Sequence, residues 1–312
     1  MTMNAARTTT VAIDPATAVG LLSLTVADLD RSLTFYTDAI GLALLERADQ
    51  TATLGVAGTP ILHLAEQQGA RPWPRDRASY TGLYHFAIVL PTRTDLGRWL
   101  RHWLDIGFPL PGQGDHLVSE ALYLEDPDGN GIEVYRDRPR DQWPYVNGQL
   151  RMASDPVDIH GMLEEADSAN LPWTGLPAGT HLGHIHLQVG DIAQAAAFYH
   201  DILGFDVVVQ MPGALFISAG GYHHHIGMNT WHSRGASPAP AGTAGLRLFT
   251  VDLPSEAARN AVVARLDAAA IAHTEAAGSI LVRDPWQNTI ALRVGTGNIG
   301  TATELANSIQ AR

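Results

Sequence analysis

The sequence predicts an α+β fold built from four βαβββ modules, and an internal repeat is the first observation behind this prediction. Residues 19–41, VGLLSLTVADLDRSLTFYTDAIG, match residues 182–204, LGHIHLQVGDIAQAAAFYHDILG, without a gap. Val26 matches Val189 and Asp28 matches Asp191. A match at this spacing indicates that one structural unit was duplicated within the chain.

Each copy of this repeat predicts a strand followed by a helix. Asp28 and Asp191 stand where a helix N-cap is expected, and Gly41 and Gly204 stand where a helix would end. The apolar residues between them fall at helical spacing, namely Leu29, Leu33, Tyr36 and Ile40. Short stretches rich in Val, Leu and Ile follow each helix, so each unit is predicted to be βαβββ.

A fainter repeat completes the set of four modules. GLYHFAIVLP resembles GLRLFTVDLP, and DPDGN at 126–130 resembles DPWQN at 284–288. The modules are predicted over approximately the following ranges: 18–66, 82–137, 181–230 and 244–295.

The order of modules predicts two domains of two modules each, 18–137 and 181–295. The stretch 138–180 is rich in Pro, Asp and Trp, contains a short helical segment, and is predicted to be the connection between them. The N-terminal tail 1–17 and the C-terminal tail 296–312 are polar or rich in small residues, and we expect them to be frayed.

The composition disfavours several classes of partner and limits the choice of metal ligands. The 312 residues carry 20 Lys and Arg against 32 Asp and Glu, a net charge of −12 that disfavours nucleic acid and anionic membranes as partners. There is no apolar run near 18 residues, and the N-terminus lacks the apolar core of a signal peptide, so we expect a cytoplasmic protein. Without cysteine, the common metal ligands that remain are His, Asp and Glu.

The stretch from Gly114 to Glu133 combines a histidine, a tyrosine, a turn and a carboxylate. Pro127 and Gly129 predict a tight turn between two strands, which would let Tyr123 face Glu133 while His116 begins the first strand. A buried glutamate costs several kcal/mol unless it has a strong partner, and a divalent metal ion is one such partner. The alternative is an edge-strand glutamate that faces solvent.

This stretch resembles the signature of the extradiol ring-cleaving dioxygenases, non-haem Fe(II) enzymes of the vicinal oxygen chelate superfamily. The matching positions are His116, Leu122, Tyr123, Asp126, Pro127, Gly129 and Glu133. The whole chain resembles the two-domain catechol 2,3-dioxygenase branch, through residues 82–91, 183–191 and 220–231. The resemblance implies that modules pair into two curled-sheet barrels, and that each module offers one ligand position on its first strand and one on its last.

These ligand positions can be compared between modules. The first-strand residues in modules one to four are Leu21, His85, His184 and Leu248. The last-strand residues are Leu62 or His63 in module one, Glu133 in module two, one histidine of His223, His224 and His225 in module three, and Ala291 in module four. A two-histidine, one-carboxylate set of His85, His184 and Glu133 suits Fe(II) because it leaves open positions for substrate and O2. His225 is a further candidate ligand.

This distribution favours a particular pairing of modules. Neither modules one and two nor modules three and four would bring the two histidines and the glutamate together. We therefore hypothesise that modules two and three build the active barrel and that modules one and four form an inert partner. This departs from the commoner extradiol pattern, in which the last two modules supply all three ligands.

The resemblance also implies roles for further residues. His224, or alternatively His225, matches the histidine that moves a proton from the substrate hydroxyl, and a neutral imidazole suits that role. His116 and Tyr123 match residues that hydrogen-bond the substrate oxygens. The alternative for each is a core residue with one hydrogen bond. His186 is a candidate for the pocket wall, as are Trp173, Tyr222 and Trp231, whereas the remaining histidines are interpreted as surface or structural residues.

The implied reaction is the cleavage of catechol or a substituted catechol by O2 beside the two hydroxyl-bearing carbons, giving a yellow 2-hydroxymuconic semialdehyde. The implied setting is the catabolism of aromatic hydrocarbons, and a homo-oligomer is expected. Two alternatives within the superfamily are a glyoxalase-like isomerase or lyase with Zn, Ni or Mn, and a non-catalytic protein that binds small molecules. The first would more often have four ligands, and the second would have lost the ligands in every module.

Overall fold

The computed structural model describes residues 12–73, 80–297 and 299–308, which form a mixed α+β molecule with two large curled sheets. The strands are β1 Ala18–Val26, β2 Ala43–Arg47, β3 Thr51–Val56, β4 Thr59–Glu66, β5 Tyr80–Leu90, β6 Gly112–Asp115, β7 Ser119–Glu125, β8 Gly131–Asp137, β9 Tyr145–Val146, β10 Gln149–Leu150, β11 His181–Gln188, β12 Asp206–Met211, β13 Ala214–Ser218, β14 Ile226–Asn229, β15 Ser237–Pro238, β16 Gly245–Leu253, β17 His273–Ala276, β18 Ser279–Arg283 and β19 Thr289–Val294. The α-helices are α1 Leu29–Thr34, α2 Arg93–Asp105, α3 Ile159–Ala169, α4 Ile192–Ala196, α5 Glu256–Ala268 and α6 Ile299–Asn307.

Each large sheet combines strands from two modules that are not consecutive in the chain. In the nine-stranded sheet the order is β12-β13-β14-β11-β5-β8-β7-β6, with the short β15 also paired to β5. In the eight-stranded sheet the order is β17-β18-β19-β16-β1-β4-β3-β2. The structure therefore pairs module two with module three and module one with module four, as the distribution of histidines predicts. Each sheet takes strands from both 18–137 and 181–295, so the division into those two domains stays a prediction.

Consecutive modules are joined by hydrogen bonds from the helices. The Tyr36 hydroxyl donates to the Asp126 carboxylate at 2.8 Å, and the Tyr199 hydroxyl donates to Asp284 at 2.9 Å. Each of these aspartates also accepts two backbone N–H bonds within its own turn, the turns at 126–130 and 284–288. Because each turn precedes the last strand of its module, this link sets the start of β8 and of β19.

Both repeated helices change to π-helical geometry half way along. α1 continues as a π turn over Phe35–Ile40, and α4 continues as a π turn over Ala197–Ile202. Asp28 caps the first by accepting from the Arg31 N–H, and Gly41 ends it with a φ of 93°. The predicted caps of the first helix are confirmed. Asp191 caps the second helix by accepting from the Gln194 N–H, but its C-cap is Leu203, and Gly204 follows with a φ of 92°. The sequence did not predict the wider turns. Such π turns are rare and occur mostly as single turns within α-helices.

The C-terminal tail differs from the frayed segment that the sequence predicts. Residues 299–307 form α6, and its side chains Ala302, Leu305 and Ala306 are buried. The spacing i, i+3, i+4 places these three on one face, which packs against the eight-stranded sheet. Polar and small residues predict a frayed tail, but Ala302, Leu305 and Ala306 form an apolar helix face that covers the sheet.

At the N-terminus, residues 1–11 of the predicted tail lie outside the described residues. Ile13 is buried and its backbone N–H donates to the Gly204 carbonyl at 2.8 Å. The predicted connection does contain a helix, α3. In the described part of the chain we find no helix with the length and apolar character that a bilayer crossing requires.

Candidate metal centre

Three adjacent strands bring His85, Glu133 and His184 to one face of the nine-stranded sheet. In the ladder between β5 and β8, Ala87 lies opposite Glu133, and in the ladder between β5 and β11, Ala87 lies opposite His184. Paired residues share a face, and so do residues two apart on one strand, so His85 points the same way as Ala87. The three predicted ligands therefore converge because Ala87, between them, is too small to separate them.

The three ligand atoms form a nearly equilateral triangle. The Nε2 atoms of His85 and His184 are 3.3 Å apart, and each lies 3.2 Å from Oε2 of Glu133. Ligand atoms bonded at about 2.1 Å to one ion would be about 3.0 Å apart at right angles and about 3.4 Å apart at tetrahedral angles. The triangle fits a single divalent ion, and among the described residues it is the cluster of metal-binding side chains that meets this geometry.

The protonation states of Glu133 and His184 also suit metal binding. Burial raises the pKa of the Glu133 carboxyl, but charge interactions and hydrogen bonds with His184 and His85 outweigh burial and hold that pKa well below its usual value. Burial lowers the pKa of His184 to about 4. At neutral pH an ionised carboxylate and a neutral imidazole thus face the same volume, and a cation held there would be bound by both.

Module three does not supply a fourth side chain at this face. Its last strand is β14, and the residue in the position that corresponds to Glu133 is Gly227, opposite His186. The prediction of a histidine there is wrong, because His223, His224 and His225 precede β14 in a loop. A Cβ on Gly227 would lie 3.0 Å from Nδ1 of His186, so this imidazole takes the space that a fourth ligand would need.

A cavity of about 680 Å³ opens from the triangle. His85 and Glu133 line it, and so do the predicted residues His116, Tyr123, His186 and His224. Trp231 stands at its edge with half of its surface exposed, whereas Trp173 stacks on His102 and lies elsewhere. The cavity therefore collects most of the residues that the sequence predicts for one site.

His116 and Tyr123 form a hydrogen-bonded pair at the cavity wall. Tyr123 lies opposite Glu133 in the β7–β8 ladder, as predicted, and His116 lies in the turn before β7 rather than on the strand. Nδ1 of His116 is 2.6 Å from the Ala153 carbonyl, so Nδ1–H donates there and Nε2 accepts from the Tyr123 hydroxyl at 2.5 Å. Burial, then the Glu133 charge, raise the pKa of Tyr123 well above its usual value, so it stays a phenol.

The three consecutive histidines have three different surroundings. His224 lines the cavity, with its ring centroid 4.1 Å from that of His184. His223 lies behind it and contacts Asp137. His225 accepts a hydrogen bond at Nδ1 from the Ala219 N–H, and the structure does not bring it into the triangle. Of the two candidates for the proton-transfer residue, the structure places His224 at the cavity.

The sequence reasoning missed other residues of the wall. Tyr84 lines the cavity beside His85 because a β-bulge interrupts the β5–β11 ladder at this point, so strand alternation does not send it to the opposite face. Met152 and Ser154 come from the connection between the predicted domains, and Phe216 from β13. For Tyr84 the local signal would have been regular alternation of side chains along β5. The bulge interrupts that alternation, so the sequence does not show that Tyr84 faces the cavity.

Corresponding positions in the eight-stranded sheet carry no such set. Ser23 lies opposite His63 in the ladder that matches His186 and Gly227, which settles the module-one position as His63. His63 is buried and its Nδ1 is 3.1 Å from the Ser23 hydroxyl. Leu248 and Ala291 pack with Leu305 of α6. The apolar residues predicted at these positions thus belong to a filled interior.

The chain is similar in sequence to known proteins. A family model described as "Glyoxalase/Bleomycin resistance protein/Dioxygenase superfamily" matches residues 17–134 and 181–292. The chain is 46% identical over 272 residues to a catechol-2,3-dioxygenase of Bacillus subtilis (strain 168), a match that covers 86% of this chain and 94% of that relative.

Solved structures share the fold at low identity. One from Bacillus subtilis subsp. subtilis str. 168 has a TM-score of 0.62 at 13% identity and covers 96% of this chain and 92% of that chain. Glyoxalase I from Zea mays has a TM-score of 0.53 at 14% identity and covers 94% and 95%. At such identities the likeness concerns the fold and not the reaction.

Proposed function

The chain belongs to the glyoxalase/bleomycin resistance protein/dioxygenase superfamily, and on that premise we propose that it is an Fe(II)-dependent extradiol dioxygenase. Its substrates are O2 and catechol or a substituted catechol, and its product is a 2-hydroxymuconic semialdehyde. The observation that carries the proposal is the triangle of His85, Glu133 and His184 at the end of a large cavity. The 46% identity to a catechol-2,3-dioxygenase supports it.

The number of ligands favours a dioxygenase over an isomerase of the same superfamily. Three protein ligands on one side of an ion leave adjacent positions for two substrate oxygens and O2. Gly227 offers no side chain at the fourth position, and His186 fills the space beside it. A four-ligand centre of the kind that the isomerase alternative requires would need a different residue at 227.

The cavity suits a substituted ring. Its volume of about 680 Å³ lies in the range of pockets that hold drug-sized ligands, which is more than one catechol ring occupies. Tyr84, Phe216 and Trp231 contribute aromatic surface to its wall. Aromatic side chains bind a planar ring by offset or edge contacts and exclude water from it.

The redox chemistry that lets O2 react with the ring would come from Fe(II) held by His85, Glu133 and His184. His224 would accept the proton of a catechol hydroxyl: burial lowers its pKa well below the usual value, so its imidazole is neutral at pH 7. Tyr123 and His116 would orient the substrate oxygens, since they are hydrogen-bonded to one another at the cavity wall.

The test is reconstitution with Fe(II) under anaerobic conditions, followed by addition of aerated catechol and recording of the yellow semialdehyde absorbance. We expect colour from the wild type. We expect no colour and no bound iron from Glu133→Ala and His184→Ala, a loss of about a thousandfold or more, because a metal contributes several kcal/mol to the transition state.

The matched control is His181→Ala, which removes an exposed histidine from the first position of the same strand as His184 and should leave iron content and rate unchanged. Iron binding without colour from catechol or from alkyl- or aryl-substituted catechols would contradict the proposed reaction. Failure to bind iron would contradict the ligand assignment.

A further inference from the structure

A row of three hydrogen-bonded groups leads away from the cavity behind the metal triangle. Nδ1 of His224 is 2.9 Å from Nδ1 of His223, and Nε2 of His223 is 2.8 Å from Oδ1 of Asp137. His223 is buried, whereas the Asp137 side chain keeps 28% of its surface exposed. Asp137 is the last residue of β8, the strand that carries Glu133, and the histidines come from the loop before β14.

The chemistry of these groups determines where the ring protons lie. A carboxylate only accepts hydrogen bonds, so the proton of a neutral His223 is on Nε2, which donates to Asp137. Nδ1 of His223 is then a bare nitrogen, and the hydrogen bond to His224 requires Nδ1–H of His224 as the donor. The remaining nitrogen of His224, Nε2, is bare and lies on the opposite edge of the ring from His223.

A second hydrogen-bond chain holds Asp137 in place. Its Oδ2 accepts from the Tyr222 hydroxyl at 2.8 Å. The Tyr222 oxygen lies 2.7 Å from that of Tyr135, and because Tyr222 donates its own proton to Asp137, Tyr135 is the donor of this bond. The carboxylate therefore has a defined partner on each oxygen, and its orientation toward His223 is set by both.

Aromatic packing prevents His223 from turning. Its ring centroid lies 4.1 Å from that of Tyr222 and 5.4 Å from that of Trp143. The Arg140 guanidinium lies over both of these rings, at 5.5 Å from Trp143 and 5.8 Å from Tyr222. His223 is enclosed, and neither of its ring nitrogens reaches the cavity. This is expected of a residue that positions its neighbour His224.

We propose that Asp137 and His223 are positioning residues that hold His224 in the Nδ1–H tautomer, so that its bare Nε2 is the nitrogen available to the substrate proton. The inference rests on the proposed function, because His224 acts there as the proton acceptor. The opposite tautomer would present an N–H to the substrate hydroxyl and could not accept from it. Fixing the tautomer before substrate arrives removes that unproductive state.

The tautomers can be read directly by NMR. Full-length protein labelled with ¹⁵N-histidine is studied at neutral pH without substrate, both metal-free and loaded with Zn(II) as a diamagnetic probe. Long-range ¹H–¹⁵N correlations distinguish protonated from bare ring nitrogens, and His223→Gln and His224→Gln assign the signals. We expect Nδ1–H for His224 and Nε2–H for His223. Nε2–H on His224, or a doubly protonated His223, would overturn the inference.

Asp137 variants test the cause. Asp137→Ala removes the acceptor and should mix the two tautomers of His224, whereas Asp137→Asn keeps an amide oxygen that accepts from Nε2–H and should retain most of the Nδ1–H form. Asp206→Ala, which alters an exposed aspartate on β12 of the same sheet, is the control and should leave the spectrum unchanged. An unaltered His224 tautomer in folded Asp137→Ala would contradict the positioning role.

Kinetics separate this inference from the proposed function. With catechol we expect Asp137→Ala to lower kcat about tenfold or more with KM within about twofold, and Asp137→Asn to recover most of the rate. Unchanged kcat in Asp137→Ala would overturn the catalytic part of the inference. If the wild type cleaves no catechol, the proposed function fails while the NMR result still decides the tautomer, since that spectrum needs no substrate.

Discussion

The two large sheets place different residues at the same four positions. The nine-stranded sheet has His85, Glu133, His184 and Gly227, and the eight-stranded sheet has Leu248, Ala291, Leu21 and His63 in the corresponding order. The strand ladders are alike: Ala87 lies opposite Glu133 in the first sheet as Thr250 lies opposite Ala291 in the second. The backbone arrangement is thus common to both sheets, and the chemistry depends on the side chains.

What lies inside each curled sheet also differs. The nine-stranded sheet surrounds a cavity of about 680 Å³. In the eight-stranded sheet, Leu305 of α6 packs on Leu248 and Ala291, and Thr303 hydrogen-bonds Thr53 and Glu46. Loss of the ligands therefore accompanies filling of the interior by a helix, because apolar residues at the ligand positions gain stability only when another apolar surface covers them.

The largest effect that tests this comparison is expected from Leu305→Ala. Leu305 is buried, so the change should leave a void between α6 and the eight-stranded sheet and lower the free energy of unfolding by about 3 kcal/mol. Urea denaturation measures the loss. Leu171→Ala, at an exposed leucine, is the control and should cost less than about 0.5 kcal/mol.

The same variant should retain the proposed iron binding and ring cleavage at temperatures where it is folded, because the metal triangle lies on the other sheet. A fall in kcat in parallel with stability would show that the two sheets are not independent, and the comparison would have to be abandoned.

An effect of intermediate size is expected at His63, the polar residue among the four positions of the eight-stranded sheet. Burial, then the Arg247 charge, lower the pKa of His63 from 6.5 to about 4. The unfolded chain therefore binds a proton on this residue more readily than the folded chain does between these pH values. The stability due to neutral His63 is complete above pH 6.5 and is lost as pH falls toward 4, by about 1.4 kcal/mol per pH unit.

His63→Leu should remove that part of the acid destabilisation, and urea denaturation at pH 7 and pH 4.5 would measure it as a smaller difference between the two conditions than in the wild type. His160→Gln, at a histidine whose side chain is 86% exposed, should keep the wild-type pH dependence. Equal pH dependence in His63→Leu and the wild type would show that folding does not lower the pKa of His63.

The smallest expected effects come from the paired changes Tyr36→Phe and Tyr199→Phe. Each removes one hydrogen bond to the aspartate of a turn, Asp126 or Asp284, and should cost about 1 kcal/mol in stability. Both costs are expected to be similar because the turns are built alike. Only the Asp126 turn leads into the strand of Glu133, so only Tyr36→Phe should weaken iron binding, as measured by competition with a chelator.

Much of the site could be predicted from the sequence because its ligands fall in repeated segments. Matching 182–204 to 19–41 put His184 against Leu21, and matching 82–91 to 245–254 put His85 against Leu248. Two histidines and two leucines at equivalent positions then indicated which modules share a sheet, and the structure has that pairing. The positions of Tyr123 and Glu133 followed from the turn between them, since a short turn sets the register of its two strands.

Other parts of the site could not be predicted because they depend on long-range packing. The β-bulge that turns Tyr84 into the cavity arises where β5 meets β11, about one hundred residues away in the chain. The resemblance predicts the histidine run on a strand, because it implies a ligand position on the last strand of each module. In the structure Asp137, Tyr222 and Trp143 hold His223 in place of a strand ladder.

The sequence by itself determined the α+β class, the four modules, the turn at 126–130 and the residues with ligand chemistry, because repeats, caps and turn residues act over short distances. Only the tertiary structure decided that His63 and Gly227 occupy equivalent positions, that residues 299–307 form a helix inside the eight-stranded sheet, and that Met152 and Ser154 reach the cavity. These features depend on which surfaces meet after the strands have paired. The polarity of a side chain does not identify the surface that will cover it.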